Sequence, residues 1–200
     1  ILSAALVATD LVPAIAADGP FTIFAPDDAA FTNAGITDLS AIPTEDLVNI
    51  LTYHVAPGEF LSTGLMDSYP ATVNGQHLMV TVGGGVMVDD ATVTAADLTA
   101  SNGVVHVIDD VLMPSDQSIV DIAVGNNDFS TLVAALTKAD LVGTLSGDGP
   151  FTVFAPTNAA FDALFTELGI TGLDDLTAEQ LQPILLYHVV GGQVYSTDLP

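Results

Sequence analysis

Four histidines and 25 acidic residues carry most of the reactive chemistry in this 200-residue chain, which has no cysteine. Two of the histidines stand in matching surroundings, Tyr53-His54-Val55 and Tyr187-His188-Val189. Each closes an apolar series at i, i+3, i+4 and i+7: Leu47, Ile50, Leu51 and His54, then Leu181, Ile184, Leu185 and His188. That spacing predicts a helix whose buried face ends in an imidazole. Two roles fit such a residue. It can be a buried pin, hydrogen-bonded to backbone and locking helix to strand, or it can touch a partner together with its tyrosine. Tyr53, His54, Tyr187 and His188 are therefore the candidate site residues. His106 lies in an apolar strand and is expected to be packed or paired, and His77 follows a turn and is expected to be exposed. No two histidines stand three or four apart, so a helical zinc pair is absent.

The acid pairs Asp27-Asp28, Asp89-Asp90, Asp109-Asp110 and Asp174-Asp175 offer oxygen ligands of the kind calcium takes. No Asp-x-Asp/Asn-x-Asp/Asn-Gly loop surrounds them, and neighbours on a strand point to opposite faces. Caps, turns and solvated charge are the expected uses, with weak, diffuse binding of divalent cations. There is no Gly-x-Ser-x-Gly elbow, no His-Glu-x-x-His and no Walker loop. Gly83-Gly84-Gly85 sits between apolar segments and reads as a loop or bulge, not a phosphate cradle.

Charge narrows the partners. One Lys against 25 acids gives a formal charge of -24. Neutralising nucleic-acid phosphates needs several cations, so nucleic acid is excluded as a partner. Direct docking on an anionic membrane is disfavoured for the same reason. Half the residues are hydrophobic and 13% are charged, which is a folding composition rather than an acidic disordered tail. No apolar run approaches the roughly 18 residues of a membrane span. Without cysteine there is no disulfide, thiolate zinc site or Cys nucleophile.

The elements that must position these groups come in two copies. Asp18-Gly19-Pro20-Phe21-Thr22-Ile23-Phe24-Ala25-Pro26 returns 130 residues on, from Phe21 to Phe151, with Val153 for Ile23. By Tyr53 and Tyr187 the spacing is 134. The extra residues fall between Phe161 and Gly169 and amount to about one helical turn, so the second copy lengthens one helix without rotating its buried face. Phe21–Ala25 reads as a buried strand. Asp27, or Thr157 in the second copy, caps the helix that follows, and Gly35 or Gly169 closes it. A second helix starts at Thr44 or Thr177. Thr177 and Gln180 have capping-box spacing, and Pro183 predicts a short or kinked helix. Residues 71–114 read as antiparallel strands with an Asn74-Gly75 hairpin signal. Helices are expected at Ile119–Val124 and Phe129–Lys138. Strands and helices in separate blocks point to an α+β fold.

The ordered motifs resemble the fasciclin domain. Thr-x-Phe-Ala-Pro-x-x-x-Ala-Phe stands at Thr22–Phe31 and Thr152–Phe161, the Tyr-His pair at Tyr53-His54 and Tyr187-His188, and Asn102–Pro114 is similar to the family's closing strand. The resemblance implies two tandem α+β domains, each a twisted β-wedge or sandwich packed against several helices. The expected boundaries are 1–114 for the first copy, 115–117 for a linker and 118–200 for the second. The second copy has no counterpart of Met66–Pro114, so the chain reads as a fragment of a longer array whose second domain folds poorly alone.

The resemblance also implies a secreted or cell-surface protein without enzyme activity or cofactor, acting in adhesion or matrix contact. Its expected partners are cell-surface or matrix proteins or polysaccharide. In some animal members the Tyr-His region touches a receptor. Two rival functions remain on sequence alone: a structural spacer that presents another domain, and a secreted hydrolase using a carboxylate pair.

Overall fold

A computed structural model describes residues 1–147 and 149–199. The chain divides into two compact units, Ile1–Ser115 and Asp116–Pro200.

Unit 1 opens with the helices α1 (Leu2–Ala8) and α2 (Val12–Ile15), then strand β1 (Phe21–Pro26), α3 (Asp28–Asn33), α4 (Thr44–Tyr53) and β2 (Val55–Pro57). The strands β3 (Val80–Val82), β4 (Val86–Val88), β5 (Ala91–Ala100) and β6 (Gly103–Ile108) follow. The six strands form one sheet in the order β2-β1-β6-β5-β4-β3. As expected, β3 to β6 meander antiparallel. The chain's return was not foreseen: β6 runs parallel to β1, from Phe21 opposite Gly103 to Pro26 opposite Ile108. The alternation of β1 explains its place in the middle of the sheet. Thr22, Phe24 and Pro26 point inward and are buried. Gly103 is dictated by the crossing, because a Cβ there would lie 1.9 Å from the Phe21 carbonyl oxygen.

One core cluster lies on the strands, with Phe24, Leu78, Val80, Val88, Ala91, Ile108 and Leu112 around Tyr53. Two smaller clusters hold the helices: Ala30, Phe31, Ile50 and Val111 in one, and Ala5, Leu47 and Leu51 in the other. The α4 face foreseen from its spacing is the one that packs.

Several local expectations are corrected. Asn74-Gly75 makes a turn with Thr72 N–H on the Gln76 carbonyl, but the flanks join only through an isolated bridge between Ala71 and His77. The turn is closed by the Asn74 side chain, which accepts from Gln76 N–H and from the Thr72 hydroxyl. His77 is half-buried rather than exposed. β5 runs on to Ala100 through two register shifts, and Asp97 at the second has a left-handed φ of 59°.

Unit 2 contains α5 (Ile119–Gly125), α6 (Ser130–Lys138), α7 (Val142–Leu145), β7 (Phe151–Val153), α8 (Asn158–Leu168), α9 (Ala178–Tyr187) and β8 (Val189–Gly191). Its helices close on Leu132, Leu136, Leu145, Phe161, Phe165, Leu181 and Leu185. α8 has 11 residues against 6 in α3, which is the extra turn. Gly169 ends it in the left-handed conformation, φ 67°. Thr177 and Gln180 form the capping box. Pro183 does not shorten α9, which has the same ten residues as α4. Pro183 and Glu179 are both exposed, so the carbonyl left without a helical partner sits on the solvated side. Thr157 takes the capping position without a side-chain cap bond. Among the described residues the sheet of unit 2 is β7 paired with β8 alone.

Candidate functional site

β1 and α4 bring the motif residues of unit 1 together at one end of the sheet. The Phe24 N–H donates to the His54 carbonyl at 2.9 Å, tying strand to helix end. His54 is 2% exposed. Its Nδ1 is 2.8 Å from the Ile50 carbonyl and its Nε2 is 3.0 Å from Leu112 N–H. Leu112 N–H can only donate, so Nε2 is the bare nitrogen and Nδ1–H donates to Ile50. Burial pushes the imidazole down to about 4, with the Ile50 carbonyl working in the opposite direction. Tyr53 is buried, with its hydroxyl 2.8 Å from Asp89 Oδ2 and 3.2 Å from the His77 carbonyl.

A second polar network runs beneath the loop after β2. The Thr22 hydroxyl donates to the Gly58 carbonyl at 2.9 Å and accepts Phe60 N–H at 2.9 Å. The Phe60 carbonyl accepts His106 Nε2–H at 2.7 Å, and His106 Nδ1 accepts Asp97 N–H at 3.2 Å. The Asp97 carboxylate accepts both Ser62 N–H and the Ser62 hydroxyl. Those bonds hold its carboxyl below the usual carboxylate range. The His106 ring also stacks on Phe24, centroids 5.6 Å apart.

Ser62, His106 and Asp97 are the residue types of a nucleophilic triad, but the wiring is wrong for one. Both imidazole nitrogens are committed to backbone groups, and the serine bonds the carboxylate directly. The network fastens residues 58–62 to β1, β5 and β6.

Unit 2 repeats half of this arrangement. The Thr152 hydroxyl donates to the Gly192 carbonyl at 2.8 Å and accepts Val194 N–H at 2.8 Å. His188 Nδ1 is 2.8 Å from the Ile184 carbonyl, and Phe154 N–H reaches the His188 carbonyl at 2.9 Å. The surroundings differ. Tyr187 is 89% exposed where Tyr53 is 5%, and Phe154 is 46% exposed where Phe24 is fully buried. The groups that cover Tyr53 and Phe24 come from residues 77–112, and the described part of unit 2 has no such strands. Of the four candidate residues, then, two are buried in unit 1, His188 is half-buried, and Tyr187 is open to solvent.

At least one member of each acid pair is engaged with backbone. Asp27 caps α3 through Ala30 N–H, Asp89 takes Met79 N–H, Asp109 takes Thr92 N–H and Asp110 takes Val111 N–H. Asp175 takes both the N–H and the hydroxyl of Thr171. Among the described residues, no group of three His, Asp or Glu side chains is placed to hold a metal ion. Gly83–Gly85 forms the turn between β3 and β4. An apolar groove of about 350 Å³ in unit 2 runs between α5, α6 and β7, lined among others by Ile122, Phe129, Leu132, Phe151 and Val194.

Thr22, Thr152 and Asp97 escaped the sequence reading. For the threonines a signal was available: a hydroxyl kept at the same place in two copies of an otherwise apolar strand marks a buried hydrogen bond. Nothing local marked Asp97, whose role depends on the bulge in β5.

A model of the Fasciclin domain matches residues 1–114 and 127–200. The chain belongs to the fasciclin domain family. Relatives include Protein sll1483 of Synechocystis sp., 46% identical over 118 residues, covering 56% of this chain and 66% of that protein. The transforming growth factor-beta-induced protein ig-h3 of Sus scrofa is 32% identical over 187 residues, 90% of this chain and 27% of that protein. Human periostin is 31% identical over 207 residues, 95% of this chain and 24% of that protein. The chain thus spans under two thirds of the first and about a quarter of the other two. A solved FAS1 domain pair from the insect cell adhesion molecule Fasciclin I aligns with a TM-score of 0.48 at 18% identity, covering 98% of this chain and 74% of that one. No helix among the described residues is long and apolar enough to cross a membrane.

Proposed function

We propose that this fasciclin chain is a non-catalytic adhesion or matrix-contact module working outside the cell, with a protein or polysaccharide of neutral or cationic surface as its partner. Family membership carries the reading. The geometry supports it, because His54, His106 and Asp97 are engaged with backbone groups that hold unit 1 together. Tyr53 and His54 belong to the scaffold of unit 1, and His188 makes the same bond to the carbonyl one turn earlier in unit 2. With a charge of -24, contact with an acidic polysaccharide requires bridging divalent cations.

The test is adhesion of the purified 200-residue chain to cells and polysaccharide-coated surfaces, in calcium and in chelator. Saturable binding supports the module. Loss of binding in chelator assigns the bridging to divalent ions. A folded chain that binds nothing in either buffer refutes the adhesion reading and favours a spacer.

A further inference from the structure

His54 and His188 are an internal comparison. Both bond Nδ1 to the carbonyl one turn earlier, at 2.8 Å. Only in His54 is a bond to the second nitrogen seen, and its donor, Leu112 N–H, lies 58 residues away in the segment that leaves β6. That segment joins two core clusters, since Val111 packs with Phe31 and Ile50 while Leu112 packs with Phe24 and Tyr53. It is held a second time at Ser115, whose N–H and carbonyl bond the Gln76 side chain at 2.9 and 2.8 Å. The first fastening uses a titratable acceptor and the second does not.

We propose that His54 is an acid-release latch: neutral, it keeps Val111 and Leu112 seated on the core of unit 1, and protonated, it expels Leu112 N–H and lets residues 111–114 loosen while Ser115 stays held by Gln76. The cause is a clash of roles. A proton on Nε2 turns the acceptor into a donor aimed at a donor, inside a site 2% exposed.

No hydrogen-bonded carboxylate compensates the new charge. On β1's exit, Asp27 is engaged with Ala30 N–H, and on β6's exit Asp109 and Asp110 are engaged with Thr92 and Val111 N–H. Asp89, after β4, takes Tyr53 and Met79. Glu45 and Asp46 lie in the first turn of α4, at the end opposite His54. Glu59 follows β2 and His77 precedes β3.

Burial sets the working range, with the imidazole pushed down from 6.5 to about 4. A base with a depressed folded-state pKa keeps its full contribution above the unlatched value and loses it as pH falls toward the latched one. The opening equilibrium therefore rises by about 100-fold between pH 7 and 4, as titration at 6.5 in the open state and at about 4 in the closed one requires.

The experiment is amide hydrogen exchange of the full chain by NMR at steps from pH 7 to 4, corrected for intrinsic exchange, with ¹⁵N spectra of the histidine rings. The expected result has three parts. The His54 ring at pH 7 carries its proton on Nδ1. Protection at Leu112 falls by about 100-fold toward pH 4, while the amides of Ser115 and Leu141 change little. In His54→Gln, which cannot titrate, Leu112 protection is flat with pH. A proton on Nε2 at pH 7, a pH-independent Leu112 amide in the native chain, loss of protection across the whole of unit 1 at once, or a persisting drop in His54→Gln each overturns the latch. Should His54→Gln fail to fold, the native-chain arms decide alone.

Discussion

Replacing Thr22 by valine tests whether β1 is held by its hydroxyl or by its apolar neighbours. The two side chains have nearly the same shape and the same preference for strands, so the change removes one oxygen and little else. Thr22 is fully buried, and its hydroxyl serves Gly58 and Phe60 at once, each at 2.9 Å. Valine leaves that carbonyl and that N–H without their partner. A buried polar group left unsatisfied costs about 1–3 kcal/mol. Both groups are only part-buried, so the lower half of that range applies to each, and the added methyl returns about 0.8 kcal/mol. The net expectation is a loss of about 2 kcal/mol. Thr22→Ser keeps both bonds and deletes one methyl, for about 1 kcal/mol.

The order is the diagnostic part: the more apolar variant is the less stable one. A urea series read by pulsed hydrogen exchange on peptides from residues 1–115 of the full chain measures it. A loss of about 2 kcal/mol moves the midpoint by about 1 M at ordinary urea sensitivities. Thr152→Val, with bonds of 2.8 Å but only partial burial, should cost about half as much, because water reaches the freed groups. A Thr22→Val chain as stable as the native one, or a Thr22→Ser chain less stable than Thr22→Val, would refute the reasoning.

Two further outcomes follow from differences in wiring. Asp27→Ala removes a real cap bond to Ala30 N–H and should cost about 1 kcal/mol, whereas Thr157→Ala, at a cap position without a side-chain bond, should stay within a few tenths; parallel urea melts compare them. Ser62→Ala takes away the hydroxyl that is the largest cause of the depressed Asp97 carboxyl, so a ¹³C carboxyl titration should move Asp97 up toward 3.8. The sign for stability is that of a depressed acid: the Asp97 contribution is present above 3.8 and is lost as pH falls through the lower folded-state value, and Ser62→Ala should shrink that acid sensitivity.

What could be read in the sequence was whatever repeats or is local. The α4 and α9 faces, the αL glycine at Gly169, the Asp27 cap and the Thr177-Gln180 box each depend on residues within a turn or two, and the structure places them as their spacing requires. The burial of His54 was legible for the same reason, since the helical period that buries Ile50 and Leu51 carries the imidazole inward. The misses are non-local. Residue patterning does not reveal that β6 returns parallel to β1, because a strand buried on that edge looks the same for either direction. The Leu112 bond to His54 and the Asp97 bond to Ser62 join residues 58 and 35 apart. The contrast between Tyr53 and Tyr187 could not come from the motif at all: the same two letters are buried or exposed according to whether strands cover them.

The absence of cations is what gives these details their common logic. Folded acidic chains ordinarily offset carboxylates with Lys and Arg, and Lys138 is the only such side chain available here. The carboxylates instead take backbone N–H groups: Asp27 from Ala30, Asp67 from Val82, Asp89 from Met79, Asp97 from Ser62, Asp109 from Thr92, Asp121 from Ser118 and Asp175 from Thr171. Each such bond is charge-assisted, and each donor is a group that a turn or strand end would otherwise have left to water. The negative charge thereby does structural duty at the loop ends through N–H groups and the hydroxyls of Ser62, Thr171, Ser118 and Tyr53. It follows that salt has much repulsion to screen in this protein and little attraction to weaken. Among the described residues the ion pairs seen are the N-terminal ammonium with Asp28 and Lys138 with Asp174, so a cationic surface on the proposed partner would meet carboxylates that few fixed cations offset.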